Sequence, residues 1–364
     1  MPYADDWDEA GEIPIGLWPK AAEVGLLGLS YPEAYGGTPG DVWLGQITAE
    51  ELGRIGAGGI NASLMVHNIG LPPIINWGSQ AMKDQIAPPI LRGESWISLG
   101  ITEPGGGSDV ANLQTTAVRD GDDWVINGEK FYISGAGDPR CKVMIVMVRT
   151  SDDGPASSQQ SQILVPMDTQ GVKILGPMHV FSEDHAPRGH MHLRFENVRV
   201  PYENILLGEG RGFEISQVRL GPGRIHHCMR TIGKAEIALD YMVKRGNSRE
   251  AFGRPLIMLG KNLELIARAR IEIEAMRLMV LKAAKAMDVL GNREARVWVS
   301  MVKAMVPEKT CQIIDQAIQI HGAAGISQWT PLAELYADVR HLRFADGPDE
   351  VHHMVVGRHE TGLH

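Results

Sequence analysis

The stretch ITEPGGGSDV, residues 101–110, runs from an acid–proline turn into three consecutive glycines. Glycines let a ligand lie against the backbone, because no side chain stands between the ligand and the exposed N–H groups. Pro104 also keeps Glu103 extended rather than helical. Taken alone, the stretch is equally typical of a surface turn that needs positive φ angles. Its interpretation therefore depends on the rest of the chain.

The composition is that of a folded, acidic protein. The chain has 364 residues, which is more than one hydrophobic core usually contains, so we expect two or three domains. Apolar residues make up 44% and charged residues 22%, without a long low-complexity or single-sign run, so the whole chain is expected to fold. The net charge of −9 would repel phosphate backbones. We therefore predict a soluble metabolic enzyme that does not bind nucleic acid.

The three cysteines, Cys141, Cys228 and Cys311, are far apart and have no C-x-x-C spacing. Neither a disulfide framework nor a zinc site is indicated, and a reducing compartment fits best. No run approaches the ~18 uninterrupted apolar residues of a membrane helix. The acidic residues 2–12 are unlike a signal peptide. We therefore expect a cytoplasmic protein without a membrane segment.

The first two thirds of the chain change from a helical to a β-type pattern. Apolar residues between 16 and 94 are spaced for short helices, with turns at residues 32–40 and at Pro72-Pro73. Residues 98–208 contain short β-type runs separated by turn clusters, which predicts an antiparallel β-domain, a sandwich or a barrel. The runs are residues 124–126, 143–148, 163–165 and 190–195.

The last third of the chain has long amphipathic patterns. Apolar stripes cover residues 232–245, 263–287 and 296–320. Such stripes favour a four-helix bundle. The sequence thus predicts a multi-domain α+β protein with domains at residues 1–97, 98–208 and 209–364.

A family resemblance rests on segments in matching order: ITEPGGGSDV at 101–110, FYIS at 131–134, REAFG at 249–253, QIHGAAG at 319–325 and ADGPDE at 345–350. Together they resemble the acyl-CoA dehydrogenase family over nearly the whole chain. GPGRIHH at 221–227 and ADGPDEVH at 345–352 are most similar to the subgroup that in animals is fused to a kinase-like domain. The resemblance implies an N-terminal helical domain, a middle antiparallel β-barrel and a C-terminal four-helix bundle. The family also begins with a further helix of roughly seven turns. This sequence lacks that helix, as a truncated or misassigned start would explain.

The resemblance implies FAD as the cofactor and places its flavin ring against two segments. Tyr132 stands where the family usually has tryptophan, and Ser134 replaces a threonine whose hydroxyl binds flavin N5. Serine keeps that hydroxyl donor. Ser108 would also touch the acyl-CoA. The implied flavin contacts are Thr102, Glu103, Pro104, Gly105, Gly106, Gly107, Ser108, Tyr132, Ile133 and Ser134.

The resemblance also implies a homo-oligomer, a dimer or a tetramer, because each FAD site would use two chains. Arg249 and Phe252 match residues that hold the pyrophosphate and adenine of a neighbouring subunit's FAD, and a guanidinium suits a pyrophosphate. The other half of that contact is implied at Gln319, Gly322 and Ala323. Pro348 replaces a threonine that donates to the flavin phosphate, so we expect weaker FAD binding or a compensating group such as Glu350.

Asp346 is the base that the resemblance implies. The family has a glutamate 27 residues after the glutamine that matches Gln319, and this chain has aspartate there. Asp346 would remove the α-proton of an acyl thioester while the β-hydride passes to flavin N5, with Arg224 near the carboxylate. Burial beside Phe344 and Ala345 is expected to raise the pKa of Asp346. The implied substrate contacts are Ser108, Gly221, Pro222, Gly223, Arg224 and Gly347.

Three functions of different class remain open. The first is an acyl-CoA dehydrogenase of fatty acid metabolism, as in β-oxidation, that passes electrons to an electron-transferring flavoprotein. The second is an oxidase of the same fold, acting on acyl-CoA or, like the nitroalkane oxidases that use an aspartate base, on a nitroalkane. The third is a non-catalytic member that binds CoA or flavin.

The histidines offer two further interpretations. His179, His185, His190 and His192 lie close together in the sequence, but without an acidic partner at fixed spacing a solvated loop is favoured over a metal site. The kinase-fused relatives act on 4-phosphoryloxyacyl-CoA, which suggests a basic pocket for the phosphate. The candidates for that pocket are Arg140, Arg188, His226 and His227.

Overall fold

A computed structural model describes residues 6–7, 13–56, 58–181 and 189–363. The chain divides into two compact units. The helical unit contains residues 41–58 and 220–364, and the sheet unit contains residues 2–40 and 59–219. The domain boundaries given above stay predictions.

Helices dominate both ends of the described chain. In chain order they are α1 Leu17–Glu23, α2 Val42–Gly53, α3 Gly58–Leu64, α4 His67–Trp77, α5 Gln80–Leu91, α6 Gly212–Ser248, α7 Asn262–Leu290, α8 Asn292–His321, α9 Leu332–Arg340 and α10 Asp349–Thr361. No helix in the described part of the chain is both long and apolar enough to cross a bilayer.

The sheet unit is built on seven strands: β1 Trp96–Gly100, β2 Thr116–Asp120, β3 Asp123–Ser134, β4 Cys141–Arg149, β5 Gln160–Pro166, β6 Val172–Met178 and β7 His190–Pro201. Their order is β1-β4-β2-β3-β7-β6, with β5 paired to β4. Every β-type run predicted from the sequence lies within a strand. One difference is the parallel pairing of β1 with β4. Periodicity within a strand cannot reveal this pairing, because it does not specify which distant strand is the neighbour.

The predicted turn at Pro72-Pro73 is wrong, because both prolines lie inside α4. Neither proline has an N–H, so the carbonyl of Ile69 loses its helical donor. The side chain of Arg219 replaces that donor, since its Nε lies 3.3 Å from the Ile69 oxygen. The predicted turn at residues 32–40 is confirmed by a short 3₁₀ segment, Glu33–Tyr35, that ends at a left-handed glycine.

The helical unit confirms the predicted bundle. The stripes predicted at residues 232–245, 263–287 and 296–320 lie in α6, α7 and α8. Their apolar faces meet in one core, to which α9 and α10 add shorter faces. Fully buried members of this core include Ile225, Ile232, Ile273, Met276, Val280, Val306 and Ile314. A short two-stranded hairpin, β8 Glu250–Ala251 with β9 Arg254–Pro255, follows α6.

Two glycines let α2 and α6 touch through their backbones. A Cβ atom at Gly53 would overlap the carbonyl oxygen of Arg230, and one at Gly233 would overlap the carbonyl oxygen of Glu50. Close approach of two backbones requires glycine, because any side chain would force the helices apart. This crossing brings the segment 41–53 onto the bundle.

We expect Gly53→Ala or Gly233→Ala to destabilise the protein by about 1–3 kcal/mol, because overpacking forces backbone shifts. The matched control is Gly45→Ala on α2, where an added Cβ has no neighbour within 4 Å. That change should raise stability by up to ~1 kcal/mol through helix propensity. Thermal unfolding of the three variants measures the difference. Equal melting temperatures would contradict the backbone contact.

Candidate active site

The glycine stretch is anchored by the side chain of Glu103. Its carboxylate accepts hydrogen bonds from the backbone N–H of Gln114 at 2.6 Å and of Thr115 at 3.0 Å. The ammonium of Lys130 lies 2.7 Å from the same carboxylate and also donates to the carbonyl of Ile101 at 3.1 Å. The Glu103 side chain therefore points into the protein, and only its backbone borders the glycines.

Burial and charge oppose each other in this pair. Burial lowers the pKa of Lys130 to about 8, although the charge of Glu103 acts in the opposite direction. Burial favours a raised pKa for Glu103, but Lys130 and the hydrogen bonds from residues 114 and 115 outweigh it, so the pKa of that carboxyl is lowered. Both groups are consequently charged near neutral pH, and the pair is a structural element of the loop.

The three glycines are not required by the chain itself. None of Gly105, Gly106 and Gly107 has a positive φ. An added Cβ at Gly105 would meet nothing within 4 Å, and at Gly106 and Gly107 the nearest atoms would be 3.8 and 3.7 Å away. The interpretation as a turn that needs positive φ is therefore wrong. What the glycines provide is an open backbone surface, as contact with a ligand requires.

The end of β3 presents Tyr132 and Ser134. Tyr132 has a φ of 57° at a register shift in the β3–β7 ladder, and its side chain is about half-exposed. The Ser134 hydroxyl lies 2.8 Å from Nδ1 of His190, and its carbonyl accepts a hydrogen bond from Ser98 at 2.9 Å. Ile133 is buried in the sheet core, so only its backbone can face a ligand. Thr102 is half-buried and Pro104 and Ser108 are exposed at the same loop.

The histidines of this region are bound to polar partners. His190 pairs with Ser134, and His192 places its Nε2 2.7 Å from Glu129. Among the described residues, no group of His, Cys, Asp and Glu is arranged to hold a metal ion. His185 and Arg188 lie outside the described residues.

In the helical unit, Asp346 lies in a loop whose backbone is hydrogen-bonded to two cationic side chains. Asp346 has a φ of 57°, and its backbone carbonyl accepts a hydrogen bond from Arg224 Nε at 2.8 Å. One carboxylate oxygen, Oδ2, is 3.1 Å from Nε2 of His227. The buried Lys303 donates to the carbonyls of Leu342 at 2.5 Å and Gly347 at 3.0 Å, which precede and follow Asp346 in the chain. The predicted pair of Asp346 and Arg224 is thus brought together, with Arg224 on the backbone rather than on the carboxylate in this contact.

The surroundings of Asp346 are cationic rather than apolar. The Asp346 side chain is only 19% exposed, but the predicted apolar neighbour is wrong, because the ring of Phe344 is 55% exposed. Burial lowers the pKa of His227 to about 4, with the charge of Arg230 acting in the same direction and Asp346 against it. Burial also lowers the pKa of Arg230 to about 10, opposed by the charge of Asp346. At neutral pH, His227 is therefore a neutral imidazole beside a fully charged guanidinium.

The glycines near Asp346 differ in whether the packing of the protein itself requires them. Gly347 has a φ of 114°, and an added Cβ would lie 2.9 Å from His352 Nε2, so the chain itself requires this glycine. Gly221, next to Pro222 inside α6, lies against Asn292, which a Cβ would overlap. At Gly223 a Cβ would sit 3.6 Å from Asp346 Oδ2, an ordinary contact distance.

The residues matched to the neighbour's cofactor are exposed. Phe252 has a φ of 52° at the tip of the β8–β9 hairpin and is 94% exposed, and Arg249 precedes the hairpin on the surface. Gln319, Gly322 and Ala323 are exposed at the end of α8. Pro348 precedes α10, and Glu350 is exposed in its first turn.

A pocket of about 480 Å³ lies beside these residues, lined by Tyr241, Lys244, Arg245, Ser248, His321, Ala324, Trp329 and Thr330. Within the described residues, the buried Nε of Arg245 has no hydrogen-bond partner. A buried donor of this kind fits an anionic group such as a phosphate.

Arg140 contacts mainly other residues of the protein. It is 8% exposed, makes two side-chain hydrogen bonds to Asp138 at 2.9 and 2.7 Å, and lies over the rings of Trp18 and Trp96. Its Nη1, however, is buried and has no hydrogen-bond partner within the described residues. The prediction of Arg140 for the phosphate pocket therefore stays a prediction.

The buried cations Lys130, Arg230 and Lys303 are site residues that the motifs did not predict. Each has a signal in the sequence, since a charged residue at an inward position of an apolar pattern is rarely buried without a partner. Lys303 falls within the apolar stripe of α8, and Lys130 lies just before Phe131 in β3. The identity of their partners depends on the fold.

Family models match the chain from end to end. They are the acyl-CoA dehydrogenase N-terminal domain at residues 1–94, the middle domain at 98–198 and the C-terminal domain at 210–361. The probable acyl-CoA dehydrogenase FadE2 of Mycobacterium tuberculosis is 50% identical over 285 residues, which are 78% of this chain and 70% of that protein. The chain belongs to the acyl-CoA dehydrogenase family.

Other similar proteins agree with this assignment. Acyl-CoA dehydrogenase family member 10 of Mus musculus is 48% identical over 79% of this chain, but the match spans only 27% of that protein. The structure of a putative acyl-CoA dehydrogenase from Mycobacterium abscessus is 40% identical, with a TM-score of 0.90 over 97% of this chain and 88% of the other.

This acyl-CoA dehydrogenase family member has the three-domain fold of its relatives, with helical N- and C-terminal domains and a β middle domain. Its cofactor is FAD. The residues present fit that cofactor in each unit by itself. The open glycine backbone of the sheet unit is suited to a flavin, and the buried Nε of Arg245 in the helical unit, which has no partner within the described residues, is suited to a phosphate.

We expect Lys130→Met to destabilise the protein by about 3–5 kcal/mol, because it leaves the Glu103 carboxylate buried without its cation. Lys173→Met is the matched control, since the Lys173–Glu196 pair is exposed. Loss of an exposed pair costs at most about 1 kcal/mol. Adding Glu103→Gln to Lys130→Met should recover part of the loss. Urea unfolding followed by tryptophan fluorescence measures all three, and equal losses for the two lysine variants would contradict the role of Lys130.

Proposed function

We propose that the chain dehydrogenates an acyl-CoA thioester to the 2-enoyl-CoA, with Asp346 as the base, and passes the electrons to an electron-transferring flavoprotein. The observation that carries this proposal is the position of Asp346. It lies in a left-handed turn, and Arg224 holds that turn by a hydrogen bond to the Asp346 carbonyl. A base must be held in one place to reach a weakly acidic C–H bond.

FAD, when bound, supplies the acceptor for the hydride from the β-carbon. Thr102, the backbone at residues 103–107, Tyr132 and Ser134 would border its ring, and Ser108 would touch the thioester's CoA portion. Arg224 and Lys303 hold the backbone that carries Asp346, and Gly223 leaves space beside the carboxylate.

An aspartate base has to reach as far as a glutamate does with one methylene fewer, a difference on the order of 1.3 Å. Two cations bind consecutive carbonyls of the Asp346 loop, those of residues 346 and 347. These hydrogen bonds hold the loop independently of the side chain, so either the position of the backbone or the depth of the substrate has to compensate for the shorter side chain.

An Asp346→Asn variant should bind FAD and acyl-CoA as the parent does but fail to reduce the flavin, because an amide does not accept the α-proton. Anaerobic titration with acyl-CoA thioesters, followed by flavin absorbance, measures this. Asp346→Glu is the control that retains a carboxylate, and it should keep measurable reduction. Reduction above a few per cent in the asparagine variant would place the base elsewhere. Steady oxygen uptake by the parent without an added acceptor would favour an oxidase instead.

We further infer that the substrate carries an anionic group near Asp346, as 4-phosphoryloxyacyl-CoA does. The support is Arg230, which is 6% exposed and whose Nε has no hydrogen-bond partner within the described residues. His226 lies on the same helix, with its ring 6.3 Å from that of His227. A buried guanidinium with an unused donor is suited to phosphate. Equal kcat/KM for a phosphoryloxy and a plain acyl-CoA would count against this substrate class.

We also propose a homo-oligomer in which the exposed Phe252 and the pocket beside α8 meet the cofactor of a neighbouring copy. Exposed apolar side chains support this, including Leu263, Ile271 and Leu278 on α7 and Trp329 after α8. Apolar patches of this kind usually mark protein contacts. The cytoplasmic location stays a prediction.

Phe252→Ala is expected to lower the FAD content of the purified protein by several-fold and to shift it to smaller assemblies, because an aromatic anchor at an interface is lost. Val24→Ala is the control, since Val24 is 80% exposed in the sheet unit and matches no cofactor contact. Sedimentation velocity with flavin absorbance measures both properties. A parent protein that sediments as a monomer with full FAD would overturn the shared site.

A further inference from the structure

His227 and Asp346 form a mostly buried pair in the helical unit. The His227 side chain is 17% exposed and that of Asp346 is 19% exposed, with 3.1 Å between Nε2 and Oδ2. The His227 backbone is held within α6, where Thr231 donates its hydroxyl to the His227 carbonyl at 2.6 Å. Neither side chain can therefore move far without leaving the other.

The position of the ring proton follows from the partners of the two nitrogens. An ionised carboxylate only accepts hydrogen bonds, so Nε2 must donate to Oδ2. Nδ1 of His227 is buried and has no hydrogen-bond partner within the described residues. The other tautomer would place an N–H at this nitrogen and lose the bond to Asp346, so it is disfavoured.

We propose that His227 is a positioning residue that binds Oδ2 of Asp346 through its Nε2–H and thereby orients Oδ1 towards the substrate's α-proton. This inference rests on the proposed function. In the step, the Cα–H bond breaks, the Oδ1–H bond forms, and the electron pair of the broken bond stays on the α-carbon.

The geometry favours this division of the two oxygens. An aspartate has few side-chain torsions, so anchoring one oxygen also orients the other. Transfer of the proton onward to Nε2 is disfavoured, because burial and Arg230 keep the pKa of His227 near 4. The bond to Oδ2 thus persists while Oδ1 is protonated.

The hydrogen bond also sets how readily Asp346 gains a proton. A donor to the ionised form stabilises that form, so removing it raises the pKa of the carboxyl. The acid limb of the pH–rate profile is the fall in rate at low pH, where Asp346 becomes protonated. Without the hydrogen bond, this limb would move to higher pH. The other titratable or charged groups near the pair are Arg224 and Arg230 on α6, Lys303 on α8, Arg343 before the loop, and Asp349 and His352 on α10.

The test compares His227→Phe, which removes the donor, with His227→Gln, which retains an N–H. The rate of flavin reduction by a saturating plain acyl-CoA is measured anaerobically against pH. We expect the midpoint of the acid limb to rise by about one pH unit in His227→Phe, as loss of a hydrogen bond to a charged group implies. In His227→Gln the midpoint should return towards that of the parent. His359→Phe, an exposed change on α10, should leave it unchanged.

Two outcomes separate the failure of this inference from failure of the proposed function. If Asp346→Asn abolishes flavin reduction but His227→Phe has the midpoint of the parent, only the inference on His227 fails. If Asp346→Asn still reduces flavin, the proposed function fails with it.

A second measurement uses the parent protein, in case His227→Phe does not fold. In protein labelled with ¹⁵N-histidine, the His227 signal, assigned by its absence in His227→Gln, should show the neutral Nε2–H tautomer at pH 7. An Nδ1–H tautomer or a charged ring would overturn the proposal.

Discussion

A buried lysine ammonium organises each of the two candidate-site loops. Lys130 binds the Glu103 carboxylate and the carbonyl of Ile101, and Lys303 binds the carbonyls of Leu342 and Gly347. Both lysines are fully buried, and burial lowers the pKa of each. A buried charge is tolerated only when its hydrogen bonds are made, so neither loop can shift without leaving an ammonium uncompensated. The glycine stretch and the Asp346 turn are therefore each fixed by the hydrogen bonds of a buried lysine.

Left-handed backbone conformations recur at the matched positions. Tyr132, Phe252 and Asp346 all have positive φ angles although none is glycine. Such residues cost on the order of 1–3 kcal/mol each and persist only where the surrounding structure determines them. At Asp346 the determining contacts are the Arg224 and Lys303 hydrogen bonds. Backbone strain at these three positions is expected in a site that must hold its side chains in fixed directions.

The glycines divide into two physical groups. Gly105, Gly106 and Gly107 have room for side chains, so their open backbone is explained by a ligand. Gly221 and Gly347 are required by Asn292 and by His352 together with a positive φ, so the protein's own packing explains them. The resemblance assigned all five to ligand contacts, the first three to the flavin and the last two to the substrate. A glycine in the sequence looks identical whether it makes space for a ligand or for a neighbouring side chain.

The sequence by itself determined the classes of the elements and the family, because both depend on local periodicity and on motifs read in order. Strand and helix patterns were recognised wherever hydrophobic spacing was regular, and they failed at Pro72-Pro73, where a distant Arg219 replaces the missing donor. Only the tertiary structure decided the electrostatics of the site. The cationic surroundings of Asp346, the position of Arg140 over the rings of Trp18 and Trp96, and the His227 contact join residues far apart in the chain. Their energies depend on burial and distance, which no local pattern encodes.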